Sequence, residues 1–304
     1  MLHNHKISFI LYAYYFKPLR QFIKGILLVI APSFIKKRVF AQYSSLTWKT
    51  LSESELDAEL LLLEFLVNKD TVFFDIGSNK GEYAYYAGKL IPKKNIYLFE
   101  PERKLNKQLK AIFKGCHVFE IALSDTKGKH LFKIPVINGV IDNCLSSLEV
   151  ENKEENETES IVYQIETDTL DNFTRANGLT PDLMKIDVEG HELAVLKGGE
   201  TYLSNRHPTL IIEIEQRHHK TISVDSIFES FKTKGYHCFY YSKKQGRLFP
   251  LDEKTYLTNT PDFFGKPDYV NNYILIHDTN KLIKGIDAIN REIQIKIQHD
   301  NGRA

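Results

Sequence analysis

The 304-residue chain carries only three cysteines, two methionines and one tryptophan. Cys116, Cys144 and Cys238 are odd in number and widely spaced, which excludes a disulfide framework and a paired-cysteine zinc site. A reducing cytoplasm is the simplest compartment. Charge of one sign is also missing: 40 Lys and Arg against 39 Asp and Glu leave a net +1. There is no basic stripe and no Asn-Pro-Pro-Tyr element, so no nucleic-acid partner is expected. Long hydrophobic runs are absent too. Ile7 to Phe16 and Gly25 to Ile35 are nearly all apolar, but neither reaches the roughly 18 residues of a spanning helix. Early charge is sparse and no small-x-small site follows, so a signal peptide is only weakly indicated. Lys17, Arg20 and Lys24 separate the two runs, and Lys36, Lys37 and Arg38 close them. Residues 1–50 therefore read as an apolar and basic helical extension. It is either a cap on the following domain or an interfacial helix. The second reading gives residues 7–38 a peripheral contact with the inner face of the membrane.

What is present is a soluble globule, with 42% hydrophobic and 26% charged residues. Ser54 to Val67 reads as a helix, with Ser52 and Glu55 in capping-box spacing. Strand-like runs at Thr71–Ile76, Ile96–Phe99 and His117–Ala122 alternate with helical periodicity at Tyr83–Leu90 and Leu105–Phe113. That alternation predicts a parallel, doubly wound α/β sheet with helices on both faces. His130–Pro135 and Ile161–Glu166 read as two further strands. The acidic stretch from Glu149 to Ser160 between them reads as a solvated loop. Regular alternation resumes with strands at Leu183–Val188 and Thr209–Ile214 and a helix at Glu192–Leu203. Another helix, capped by Ser223, carries Val224, Ile227, Phe228 and Phe231. Tyr236–Tyr241 and Tyr273–His277 are the last strands. Gly246 to Asn272, with three prolines, reads mostly as loop. A charged helical tail closes the chain.

Five clusters carry chemistry, and all sit at predicted strand ends. Asp75-Ile76-Gly77-Ser78-Asn79-Lys80-Gly81 is an acid followed by two glycines, where a backbone must turn tightly or approach a ligand. The spacing is not the G-x-G-x-x-G of dinucleotide folds. Glu100, ending the second strand, is placed to accept from two ribose hydroxyls. Ser124 and Asp125 follow the third strand, where an adenine amino group would lie; an ordinary turn explains them equally well. Lys185, Asp187 and Glu189 alternate, so in an extended strand they share one face, and charge at a central strand tip is costly unless paired or functional. His191 could act as a base, since imidazoles as a class can change charge in the physiological range, though a plain helix-start residue accounts for it as well. Glu192 suits the positive end of the helix that follows. Glu213 ends the next strand beside them. Asp187, Glu189 and Glu213 could hold a substrate hydroxyl or a hard divalent ion; no obligatory metal is expected. His218 and His219 read as exposed loop histidines.

Together with Phe99-Glu100-Pro101, Ala122-Leu123-Ser124-Asp125 and Thr169-Leu170-Asp171, these clusters make the chain resemble the FkbM family of methyltransferases from about Ser54 to Asp278. Lys185-Ile186-Asp187-Val188-Glu189-Gly190-His191-Glu192 is the most specific part of the match. The resemblance implies a Rossmann-like class I methyltransferase domain over residues 51–280, with a seven-stranded, mostly parallel sheet and a helical tail at 281–304. It implies S-adenosyl-L-methionine as cofactor and O-methylation, often of sugar or polyketide hydroxyls. Bacterial members often act in surface glycan pathways. A small-molecule or glycan hydroxyl is therefore the expected acceptor. Asp75, Gly77, Asn79, Gly81, Glu100, Ser124 and Asp125 are the expected cofactor residues. Asp187 is the first choice of base or hydroxyl orienter, with Glu189 and Glu213 as partners and His191 next. Two alternatives stand beside this reading. One is a nicotinamide-dependent oxidoreductase, which the missing G-x-G-x-x-G disfavours. The other is a non-catalytic, membrane-associated binding module on the same fold.

Overall fold

The structure is a computed structural model and describes residues 30–52, 54, 56–252, 255, 258–260, 266 and 269–301. Its strands are β1 (Phe73–Ile76), β2 (Ile96–Phe99), β3 (His117–Phe119), β4 (Ala122–Leu123), β5 (Gly128–Ile137), β6 (Val140–Ile141), β7 (Glu157–Asp168), β8 (Leu183–Ile186), β9 (Thr209–Glu213), β10 (Tyr236–Ser242), β11 (Arg247–Pro250) and β12 (Asn272–His277). The main sheet runs β11-β10-β12-β9-β8-β1-β2-β3. Its centre, from β3 through β1 to β9, is parallel. β12 runs antiparallel to both β9 and β10. This is the class I α/β arrangement, with one correction: the sheet has eight strands among the described residues, not seven. The eighth, β11, lies in the segment read as mostly loop. Gly246, at φ +63°, lets the chain reverse after β10, and Leu248 is buried, so the returning strand gains both a ladder and a core contact.

The parallel strands are short apolar runs covered on both faces, as parallel sheets require. Phe73 and Phe74 alternate to opposite sides. Phe73 joins a core with helices α4 (Glu59–Leu66), α5 (Glu82–Leu90), α6 (Arg103–Ile112) and α11 (Ile286–Asn301). Phe74 joins the other, under α7 (Leu170–Asn177), α8 (Glu192–Gly198), α9 (Glu200–Arg206) and α10 (Val224–Thr233). Two helix starts differ from expectation. α4 begins at Glu59, after Ala58 and with no side-chain cap; Ser52 instead ends the short helix α3 (Trp48–Ser52), and Glu55 lies outside the described residues. α10 does start after Ser223, but that side chain makes no capping bond.

Ahead of these elements lie α1 (Pro32–Val39) and α2 (Ala41–Ser44). Ile35 is buried, and Phe40 stacks on Tyr85 with ring centroids 4.5 Å apart, so this part of the extension packs on the domain as a cap. Ile30 and Phe34 remain exposed. Residues 7–29 of the extension lie outside the described residues. No described helix is long and apolar enough to cross a membrane.

Between β3 and β8 the chain builds a second sheet, β4-β7-β5-β6. β5 and β7 pair antiparallel over nearly their whole lengths. The acidic stretch between them is not a solvated loop. It returns across the strand tips of the main sheet, because three of its carboxylates find buried or half-buried partners there or beneath it. Glu157 pairs with buried Lys133 at 3.0 Å, Glu154 with Arg217 at 2.6 Å, and Glu149 with His191 at 2.6 Å.

Candidate active site

In-register pairing brings the predicted acids together. Ile76 pairs with Phe99 of β2 and with Ile186 of β8. The residues that follow, Gly77, Glu100 and Asp187, therefore leave three adjacent strands at one level. Backbone bonds hold them: Gly77 N–H donates to Phe99 O and Asp187 N–H to Ile76 O, each at 3.0 Å. A Cβ on Gly77 would stand 1.7 Å from the Asp187 carbonyl oxygen, at φ +81°. The glycine is thus required by the neighbouring strand.

Above these tips lies a cavity of about 350 Å³, within the range of small-molecule sites. Asp75, Gly77, Asn79 and Glu100 line one part of it; Asp187, Glu189, His191 and Glu213 line another. Gly81, Ser124 and Asp125 do not line it. Gly81 starts α5 at φ +89°, and a Cβ there would meet the Phe113 ring at 2.5 Å, so it serves helix packing. Ser124 Oγ bonds His191 Nε2 at 2.9 Å. Asp125 pairs with Lys197 at 2.8 Å. In their place Ala122 and Leu123 face the cavity with Phe99 and Phe132, an apolar slot suited to a flat ring.

The first group of acids is buried and under-satisfied. Asp75 is 2% exposed, and its Oδ2 has no hydrogen-bond partner. Burial pushes its pKa up to about 7, Glu82 adds to the rise, and Lys185 opposes it. Glu100 accepts from the amides of Asn79 at 2.7 Å and Glu102 at 2.8 Å. Burial nevertheless pushes it up to about 8. Asn79 takes a left-handed φ of +47°, and its Oδ1 is buried without a partner. Buried polar atoms without partners are rare, and these two face the cavity, where a bound ligand could complete them.

The second group is organised by Lys185, which the motif contained without a role assigned. Lys185 is 1% exposed. Its Nζ donates to Asn272 Oδ1 at 2.7 Å and pairs with Asp187 at 3.4 Å. Burial works against its charge, but Asp187 and Glu213 outweigh burial and raise its pKa. Glu213 accepts from Asn271 at 2.5 Å. Burial and the Asp187 charge lift Glu213 and Glu189 well above the usual carboxylate range, with Lys185 and Arg217 respectively opposing. Strand alternation does not explain their convergence. β8 ends at Ile186, and Glu189 adopts φ +51° in the turn that follows. Glu192 accepts from the Val188 and Gly190 amides at 3.1 and 3.0 Å, closing that turn at the start of α8. Both ring nitrogens of His191 are engaged, one by Glu149 and one by Ser124. The described residues contain no group of three or more His, Cys, Asp and Glu placed to hold a metal ion.

Several lining residues escaped the sequence reading. Tyr43 comes from α2, Asp57 from the link between α3 and α4, and Glu82 and Tyr83 from α5. Tyr83 Oη donates to Asp57 at 3.3 Å and Tyr43 Oη to Glu82 at 3.4 Å. Cys144, Ser146, Ser147 and Leu148 come from the loop between β6 and β7, residues 142–156, the insertion loop, and Ser147 Oγ donates to the Glu189 carbonyl at 2.7 Å. No local pattern announces them; only the acidity of the insertion was a signal. His218 and His219 are not exposed loop histidines. Their side chains are 6% and 5% exposed. Burial lowers the pKa of both, His218 to about 4.

Residues 75–238, more than half of the chain, match the family model of the methyltransferase FkbM domain. No curated protein sequence matches the chain significantly. Solved structures similar to it include three methyltransferases. One is a methyltransferase FkbM from Methylobacillus flagellatus KT, at 14% identity over 69% of this chain and 44% of that one, with a TM-score of 0.43. The chain thus spans less than half of that protein's length. A precorrin-6y C5,15-methyltransferase from Geobacter metallireducens GS-15 is 12% identical over 73% of this chain and 87% of that one, with a TM-score of 0.33. A TehB-like SAM-dependent methyltransferase from Corynebacterium glutamicum ATCC 13032 Kitasato is 12% identical over 80% of this chain and 96% of that one, with a TM-score of 0.35.

Proposed function

The chain belongs to the FkbM methyltransferase family, and on that premise we propose that it transfers a methyl group from S-adenosylmethionine to a hydroxyl oxygen, with a sugar of a glycan or glycolipid as acceptor. One observation carries the reading. A single cavity holds an unpartnered Asp75 oxygen and Glu100 in one part and the Asp187, Glu189 and Glu213 carboxyls in another.

The residues fit the donor. Asp75 Oδ2 has a free acceptor site for its amino group. Glu100 spends two acceptor sites on amides and, as a carboxylate, keeps others for two ribose hydroxyls. Leu123 and Phe99 would flank the adenine. When bound, the donor supplies an already activated sulfonium methyl. The protein's task is then positioning, which can contribute several kcal/mol, and removal of the hydroxyl proton. Asp187, held by Lys185, orients the acceptor hydroxyl. Glu189 and Glu213, whose burial raises their proton affinity, are the groups that take its proton.

Isothermal titration should give binding of S-adenosylhomocysteine and none of NAD; the reverse result overturns the reading. A Glu100→Ala variant that binds S-adenosylhomocysteine as tightly as the parent protein removes the ribose assignment. Mass spectrometry of host glycans and lipid-linked precursors, with the gene present and absent, should show a shift of one methyl. The exposed Ile30 and Phe34, beside Lys37 and Arg38, support peripheral membrane contact as the second part of the proposal. Flotation with anionic vesicles should be lost when residues before Phe40 are removed; unchanged flotation, or none with the full chain, rules the contact out.

A further inference from the structure

The insertion loop that walls the cavity is tied down by two carboxylates, and one of them shares its cation with Glu189. Arg217 lies in the short turn Gln216–His218 after β9. Its Nε pairs with Glu215. Its Nη1 stands 2.6 Å from Glu154 Oε2, and its Nη2 stands 3.6 Å from Glu189 Oε2. Glu154 belongs to the insertion loop; Glu189 belongs to the cavity wall. The Arg217, Glu154 and Glu189 side chains are 22%, 12% and 18% exposed, so solvent and salt screen them only in part.

We propose that Glu154 is a positioning residue that couples the seating of the insertion loop to the charge state of Glu189: docked on Arg217, it takes one arm of the guanidinium and leaves Glu189 only the long contact. A contact of 2.6 Å is a charge-assisted hydrogen bond, whereas 3.6 Å is beyond hydrogen-bond reach. The ionisation of a buried carboxyl follows its nearest cation. The charges facing Glu189 include Asp187, Glu215, Glu192 and Glu213 on the negative side and Arg217 on the positive. His218 follows Arg217 in the same turn and stands 3.8 Å from Glu154. With Glu154 withdrawn, Arg217 loses one of its carboxylates and its pull on Glu189 strengthens. The high proton affinity of Glu189 therefore belongs to the state with the loop seated, when Ser147 and Leu148 also close the cavity wall. The coupling rests on the methyl-transfer reading only in naming a hydroxyl as the source of the proton.

The test needs no acceptor. The protein is labelled with 13C at the glutamate carboxyls, and the Glu189 signal is assigned by its absence in Glu189→Gln. In Glu154→Gln the Glu189 titration midpoint should fall by about one pH unit or more, and hydrogen exchange across residues 142–156 should quicken. Glu154→Asp keeps the charge and shortens the reach, so it should move the midpoint the same way by less. Faster exchange with an unmoved or rising Glu189 midpoint overturns the coupling, as does no change in either. S-adenosylhomocysteine titration of the same samples separates the two ideas. A failure to bind removes the methyl-donor reading and leaves the Glu189 result decisive for the coupling.

Discussion

Glu149 Oε1 stands 2.6 Å from His191 Nδ1, and this one contact joins the insertion to the most specific motif of the chain. The ring's other nitrogen is 2.9 Å from Ser124 Oγ. Nδ1–H donating to Glu149 leaves Nε2 to accept from the Ser124 hydroxyl, which satisfies all three groups. His191 is thereby spent on holding the loop.

The Glu149 carboxyl sits below the usual range because of the hydrogen bond from His191, with partial burial opposing. Its folded value is depressed, so its stabilisation is present above about pH 4.5 and is lost as pH falls through the folded value. The side chain is 41% exposed, so solvent screening keeps the effect small, under about 1 kcal/mol. Glu149→Gln should lower the melting temperature slightly near neutral pH and speed hydrogen exchange in residues 142–156. The melting difference should vanish in acid. A difference that grows as pH falls contradicts the assignment.

Glu100, Asp75, Glu192 and Glu59 behave oppositely, because burial raises each, to about 8 for Glu100 and about 7 for the others. A raised carboxyl contributes stability that is full below its unfolded value and is lost as pH rises through the folded one. Without ligand, the protein should be most stable in mild acid and should melt progressively lower as pH rises to about 8. Glu100→Gln should flatten the upper part of that decline. Differential scanning fluorimetry across pH checks both; a stability that rises over this interval refutes them.

Gly77 and Gly139 separate steric need from conformational need. Both have positive φ, +81° and +78°. A Cβ at Gly77 collides with the Asp187 carbonyl, whereas one at Gly139 meets nothing within 4 Å. Gly77→Ala should cost more than about 4 kcal/mol or abolish soluble protein. Gly139→Ala should cost about 1 kcal/mol. Equal losses in urea unfolding would show that the strand contact at Gly77 is not what demands the glycine.

Lys185→Met should be severe for another reason. It leaves Asp187 without its 3.4 Å partner and Asn272 Oδ1 without its donor. Removing one member of a buried pair costs about 3–5 kcal/mol. Chemical denaturation should report a loss of that size, and a loss below about 1 kcal/mol would mean that the pair is solvated.

The strand-tip acids were readable from sequence because a parallel sheet of short apolar runs delivers whatever follows each run to the same edge. Asp75, Glu100, Asp187 and Glu213 needed only that rule. Ser124 and Asp125 follow β4, which leaves the main sheet for the second one, and their side chains turn from the cavity to partners more than 60 positions away, His191 and Lys197. β11 was missed because a proline-bearing segment can still pair along a free sheet edge. Asp57 and Tyr43 had no local signature at all, and the insertion loop had only its acidity.

By itself, the sequence determined the α/β class, the alternation of the central strands with helices and the glycine turn that carries Asp75. Those depend on hydrophobic period and backbone sterics, which act over a few residues. Tertiary structure alone decided which carboxylates share a cation, that Lys185 organises the acids, and that an acidic insertion closes the cavity. Those outcomes depend on burial, where a carboxylate must find its partner across the chain: Glu154 on Arg217 across 63 positions, and Glu149 on His191 across 42.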